Sequence, residues 1–150
     1  MPVNPDSAGR RYRLTEPYLV NRQKLREFAS AVGAKAPACF DVAAARALGY
    51  ADLVAAPTFA VVIAQAAERE YVADPTAGID FARVVHAEQS FHHHRPIVAG
   101  DQISAELTVV SVAERAGLAM VTTRTDLSDA AGQPVSAVTS TLAVRLGAGG

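Results

Sequence analysis

Residues 57–71, PTFAVVIAQAAEREY, limit the fold of this chain more than any other stretch. Pro57 suits the first turn of a helix, where its missing N–H leaves no bond unmade. The residues that follow, Phe59, Ala60, Val61, Val62, Ile63, Ala64, Ala66 and Ala67, are apolar on nearly every side. A helix of that kind has to be enclosed rather than laid on a surface. A bilayer is not the enclosure, because the apolar run from Leu53 to Ala67 is short and carries Pro57, Thr58 and Gln65. The cover must come from protein.

Past Asp74, Pro75 and Gly78 the apolar period changes from 3.6 to 2, the signature of half-buried strands. Strands are expected over 84–94 (VVHAEQSFHHH), 102–112, 118–127 and 135–146. Ile103, Ala105, Leu107 and Val109 share one face, as do Val138, Leu142, Val144 and Leu146. RPIVAGD, AERAG and SDAAGQP read as the turns between them, so the strands form an antiparallel meander. Upstream, residues 17–20 read as a short strand. Asn21 is placed to cap a helix over 22–32, with Leu25, Phe28, Ala29 and Val32 inward and Gly33 just beyond its end. Asp41 caps a second, short helix over 42–48 that Gly49 stops. One helix needs burial and one sheet has an apolar face to offer. The expected architecture is therefore α+β: a hot-dog fold, an antiparallel sheet wrapped round a long central apolar helix.

A chain of 150 residues, half of them hydrophobic, can build one core without disulfides. That core is expected over 14–146, after a flexible lead at 1–13 rich in Pro, Asn, Ser, Gly and Arg, and before a frayed tail at 147–150. With 19% charged residues and a net charge of −1, nothing argues electrostatically for nucleic acid or an anionic membrane. The single cysteine, Cys39, rules out an internal disulfide and a zinc site built on several cysteines. The first thirteen residues have no apolar stretch of the secretory kind, so a cytoplasmic location is expected.

The order helix, loop, short helix, GYADLVAAPTF, buried helix and RPIVAGD resembles the MaoC-like hydratases and dehydratases over roughly Tyr12 to Arg145. It is most similar to their N-terminal-type branch, which includes the accessory subunit of the actinobacterial (3R)-hydroxyacyl-ACP dehydratase of type II fatty-acid elongation. Catalytic members carry Asp-x-Asn-Pro-x-His after the first helix, and the Asp and His exchange protons with a 3-hydroxyacyl or enoyl thioester. When that pattern is laid on AVGAKAPACFD without a gap, Gly33 and Pro37 match. The Asp falls on Ala34, the Asn on Ala36 and the His on Cys39. Two alanines carry no proton. A thiol titrates ordinarily near ~8.5 and has no base beside it in sequence. The resemblance also implies an oxyanion donor at the start of the buried helix, near Pro57, which has no N–H; Thr58 is the donor that remains.

These correspondences imply a substrate-binding, catalytically incomplete subunit of a (3R)-hydroxyacyl thioester dehydratase or enoyl hydratase. Pro57, Thr58, Phe59, Val62 and Ile63 are its expected substrate-binding residues, with Ala60, Ala64 and Ala67 leaving room for an acyl chain. The thioester would arrive on acyl carrier protein or CoA, a hot-dog partner would bring the Asp and His, and no metal or redox cofactor is implied. The rival reading is a non-enzymatic acyl-thioester or lipid-binding homodimer. A thioesterase with some other acid or base is a third, which no carboxylate at the helix start supports.

Other polar residues have two readings each. His92 and His94 share a strand face and His93 opposes them, so a metal pair, a replacement acid/base and a plain polar face compete, with the polar face favoured. Cys39 is a nucleophile or a small buried hydrophobe. His86 and Glu88 are expected to share a strand face, where they either pair or make a plain surface or interface contact, with the plain contact favoured. Asp101 reads as turn chemistry. Asp52 either helps to place a thioester arm or is a solvated loop residue. Arg10, Arg11 and Arg13 either attract an acidic carrier or form a mobile basic tail.

Overall fold

The computed structural model describes residues 2–147. Strand β1 (Arg11–Arg13) and strand β2 (Tyr18–Leu19) precede helix α1 (Arg22–Ala31), helix α2 (Val42–Ala47) and helix α3 (Ala60–Ala73). Strands β3 (Val84–His93), β4 (Gln102–Arg115), β5 (Leu118–Ser128) and β6 (Pro134–Arg145) complete the chain. The antiparallel sheet runs β1-β4-β5-β6-β3, with β2 also paired to β4, and α3 lies against its inner face. This is the hot-dog arrangement the sequence leads one to expect.

Local chemistry sets the helix ends. Asn21 accepts from the Lys24 N–H at 2.8 Å and Asp41 from the Ala43 N–H at 3.0 Å. A 3-10 turn over Pro57–Phe59 leads into α3. Its residues Ala60, Ile63, Ala64, Ala67 and Tyr71 are buried against inward residues of the sheet, among them Ile103, Leu107, Val109, Val121 and Leu142. The alanines on that face let sheet and helix approach closely. The opposite side of α3 is only half covered, at Val61, Val62, Gln65 and Ala66. Between β4 and β5 the chain reverses through Ala116 and Gly117, both at positive φ (52° and 79°), as a tight hairpin turn requires.

Two expectations need correction. Residues 2–13 are not a loose lead. Val3 and Ser7 are buried, β1 pairs with Glu106 to Thr108 of β4, and the Gly9 N–H donates to the Val109 carbonyl at 2.7 Å. Tyr12 packs at a tilt against Tyr71 (centroids 5.2 Å apart), Ser7 and Tyr71 share a hydroxyl hydrogen bond (2.9 Å), and the Tyr12 hydroxyl donates to Asp74 (2.7 Å). The anchors are few and scattered among Pro, Asn and Arg, and the strand they serve is almost a hundred residues away, so local composition conceals them. His86 and Glu88 do not share a regular strand face, and the pairing that a shared face would allow, the less favoured reading, is not made. The β3–β6 register slips between those two residues, and His86 Nε2 instead lies 3.1 Å from Glu68 of α3. Of the expected tail, only Gly147 falls within the described residues; 148–150 lie outside them, as does Met1.

Candidate functional site

The loop after α1 begins at Gly33, with φ at +72°, a conformation that costs glycine little. A 3-10 turn over Pro37–Cys39 then buries Ala38 and Cys39. The Ala38 carbonyl accepts from the Val54 N–H at 3.0 Å, which docks this loop on the strut leading to α3. The other side of the strut is stitched to the turn before β4: Ala55 N–H to the Ile97 carbonyl (2.8 Å) and Ala99 N–H to the Leu53 carbonyl (2.9 Å). The loop after α1, the strut to the helix start and the turn after β3 are thus hydrogen-bonded into one block.

A cavity of about 340 Å³ opens in that block. Val54, Ala55, Ala56 and Pro57 make one wall; His93, His94, Arg95, Pro96 and Ile97 make the other. Of the five expected substrate-binding residues, only Pro57 lines it. Thr58 is exposed beside it, in the first turn, where helix N–H groups lack intrahelical acceptors. Phe59 and Ile63 are fully buried, and Phe59 is wedged edge-on against Phe28 (5.4 Å) and Tyr18 (6.2 Å). Val62 packs half-buried against the same core, and Ala60, Ala64 and Ala67 are covered by the sheet. These side chains fill space in this chain.

Ala34 is half-buried and Ala36 exposed, and neither has a group to move a proton. Burial pushes the Cys39 thiol above its usual range, away from the thiolate a nucleophile needs. The remaining charged candidates are committed to partners. Asp52 is held bidentately by Arg22 (2.9 and 2.8 Å) and accepts from its neighbour Leu53 N–H; the Arg22 bond, chiefly, lowers its pKa to about 2. Asp101 is more than a turn residue. It takes two hydrogen bonds from the Arg95 guanidinium (2.9 and 3.1 Å) and one from the Val98 N–H (2.9 Å), clamping the RPIVAGD turn shut. Arg10 bonds Thr76 and Asp74, while Arg11 and Arg13 pair with Glu106.

The three histidines divide as strand alternation requires. His92 and His94 meet edge to face at 4.9 Å, whereas His93 stacks on Phe91 at 5.6 Å and lies 2.9 Å through Nδ1 from Ser136 Oγ. Among the described residues no group of three or more His, Cys, Asp or Glu is placed to hold a metal ion. Sequence reasoning found the opposition of His93 to its neighbours but not its place in the cavity wall, and it missed Ser136 altogether. Nothing local marks either, since both depend on where β3 and β6 meet the helix start.

A six-stranded antiparallel sheet curled on one buried helix, with a cavity at the helix start, defines a MaoC-like hot-dog domain. The chain belongs to the family described as FAS1-like, dehydratase domain region, whose model matches residues 7–138. It is 52% identical over 145 residues to a UPF0336 protein of Leifsonia xyli, covering 97% of each chain. It is similar to a chain of the HadBC (3R-hydroxyacyl-ACP dehydratase) complex of Mycobacterium tuberculosis, at 34% identity and a TM-score of 0.82, over 92% of this chain and 97% of that one. A MaoC-like dehydratase matches at 34% identity and a TM-score of 0.85, over 93% of this chain and 42% of the other.

Proposed function

We propose that this chain is the substrate-binding, catalytically incomplete subunit of a (3R)-hydroxyacyl thioester dehydratase of fatty-acid elongation, completed by a second hot-dog subunit that brings the Asp and His. The reaction removes the C2 proton and the C3 hydroxyl as water and leaves the trans-2-enoyl thioester; the reverse is hydration. One observation carries the reading. The loop that corresponds, by the resemblance, to the one holding the acid and base in catalytic members is docked on the strut beside the cavity, yet presents Ala34, Ala36 and a buried Cys39. Proton transfer needs a titratable group within hydrogen-bond reach of the reacting carbon; of these three positions only Cys39 has one, a buried thiol whose pKa burial raises.

The surface supports a partner. Strand β3 ends the sheet with one side unpaired among the described residues, and Val61, Val62 and Ala66 leave one flank of α3 half covered. A second hot-dog domain laid beside β3 would complete both. The similarity to a chain of HadBC supports the same arrangement. Within it, this chain would contribute the apolar wall from Val54 to Pro57 and, beside it, the Thr58 N–H, which would donate to the thioester carbonyl oxygen in the manner of an oxyanion hole. The thioester is carried by acyl carrier protein or CoA.

The test is co-expression with a hot-dog protein that carries Asp-x-Asn-Pro-x-His, followed by hydration of crotonyl-CoA and longer enoyl-CoA. Activity is expected in the complex and absent from this chain alone. Turnover by the isolated chain at the rate of an intact hydratase overturns the proposal. A self-paired, acyl-CoA-binding protein that stays inert with every partner establishes the binding homodimer instead.

A further inference from the structure

We infer that His93 is the cavity's hydrogen-bond acceptor, held by Ser136 in the tautomer that leaves Nε2 free to receive an O–H or N–H from the ligand. Ser136 Oγ has two polar neighbours, His93 Nδ1 at 2.9 Å and the His92 carbonyl oxygen at 3.3 Å. The hydroxyl has one proton, and the carbonyl has none to give. Both contacts are satisfied only if Ser136 donates to the His92 carbonyl and accepts from Nδ1–H. A neutral imidazole with its proton on Nδ1 carries the lone pair on Nε2.

Three features keep the ring in that state. Ser136 is 2% exposed, so water does not compete readily for its hydroxyl. Phe91 stacks on the imidazole with the planes 18° apart, which fixes its orientation. Nε2 has no partner among the described residues, while Arg95 of the same wall is engaged with Asp101 and the Pro96 carbonyl; His94 is packed edge to face on His92 and, unlike His93, has no hydrogen bond that selects a tautomer among the described residues. The facing wall, Val54 to Pro57, has no polar side chain. A neutral acceptor in an apolar cavity selects a ligand that offers a hydrogen-bond donor among apolar atoms and discriminates against a bare anion. On the proposed function, two groups of a hydroxyacyl thioester fit: the 3-hydroxyl of the acyl chain and an amide N–H of the thioester arm.

The first measurement needs no partner and no turnover, so it stands apart from the dehydratase reading. Long-range ¹H–¹⁵N spectra of the labelled full chain, recorded under alkaline conditions in which the ring is seen to be neutral, report which nitrogen carries the proton. The His93 signals are identified by their loss in His93→Gln. Nδ1 is expected to be pyrrole-like and Nε2 pyridine-like. Ser136→Ala should mix the tautomers and draw the two shifts together, and Ser136→Thr, which keeps a hydroxyl, should restore the pattern. The opposite tautomer, or a Ser136→Ala spectrum identical to wild type, overturns the inference. Titration then separates the donors. S-methyl 3-hydroxybutanethioate has the hydroxyl without an amide, and S-butanoyl-N-acetylcysteamine has the amide without the hydroxyl. The true donor should move Nε2 and bind about tenfold more weakly to His93→Ala, the scale of one lost hydrogen bond. If neither probe moves Nε2 at saturation, His93 is not the acceptor.

Discussion

Asp101 offers the sharpest test of how the site is held. If the RPIVAGD turn were kept by Pro96 and Gly100 alone, Asp101→Ala would change stability by less than about 0.5 kcal/mol, as most surface substitutions do. The structure gives it more to lose. Hydrogen bonds to charged groups contribute about 1.5–3 kcal/mol when well shielded. The Arg95 side chain, however, is 33% exposed, and Asp129 at 3.5 Å remains as a second anion. Solvent screening brings the Arg95–Asp101 pair down to about 1 kcal/mol, and the bond from the Val98 N–H adds about 1 kcal/mol more. Asp101→Ala should therefore cost about 2 kcal/mol. Asp101→Asn, which keeps an acceptor for Val98 and loses the charge, should cost about half of that. In a domain of this size these losses lower Tm by about 4–8 °C and about 2–4 °C. Urea and thermal unfolding followed by circular dichroism measure both. Two variants within about 0.5 kcal/mol of wild type would refute the clamp, and an Asn variant as damaged as the Ala variant would refute the separate share assigned to Val98.

Other outcomes follow from single contacts. Because Arg22 holds Asp52 ionised in the folded state down to about pH 2, its stabilisation is present above about pH 3.8 and lost as the pH falls toward about 2. With 18% of the Asp52 side chain exposed and 49% of Arg22, that contribution is at most about 1 kcal/mol, and Asp52→Asn should flatten the acid limb of the stability curve by that amount. Tyr71→Phe strands the fully buried Ser7 hydroxyl and should cost about 1–2 kcal/mol in urea unfolding; no loss would mean that the N-terminal segment does not depend on this bond. Ala67→Leu forces a larger side chain between α3 and the sheet at a site with no exposed area, so a loss of about 1–3 kcal/mol is expected, whereas a neutral result would reveal open space along the helix. Cys39 should resist a thiol reagent in the native protein and react promptly in urea, since it is 6% exposed and its pKa is raised by burial.

Much of the architecture is readable along the chain because the forces behind it act over a few residues. Asn21 and Asp41 cap their helices through backbone N–H groups two and three positions away. Ile103, Ala105, Leu107 and Val109 reach the core by strand alternation alone. That Ala34 and Ala36 have no proton to move is legible in the same direct way, since a side chain without a titratable group has none in any fold; that the Cys39 thiol is buried is not.

The misjudged or missed features are pairings between distant elements. His86 turns to Glu68 because a register slip intervenes, and no local rule places that slip. Arg22 reaches Asp52, Arg95 reaches Asp101 and Asp129, and Tyr12 reaches Asp74 across the fold. Phe59 and Ile63 belong to the core, because the apolar character that suits an acyl tunnel also suits ordinary packing, and only the position of the sheet decides between them. Periodicity, caps and turn residues determined that a sheet would wrap this helix, since hydrogen-bond geometry and side-chain alternation are local. Where a cavity opens, and which histidine tautomer faces it, was decided only by the tertiary structure, because those depend on contacts between segments that the chain keeps far apart.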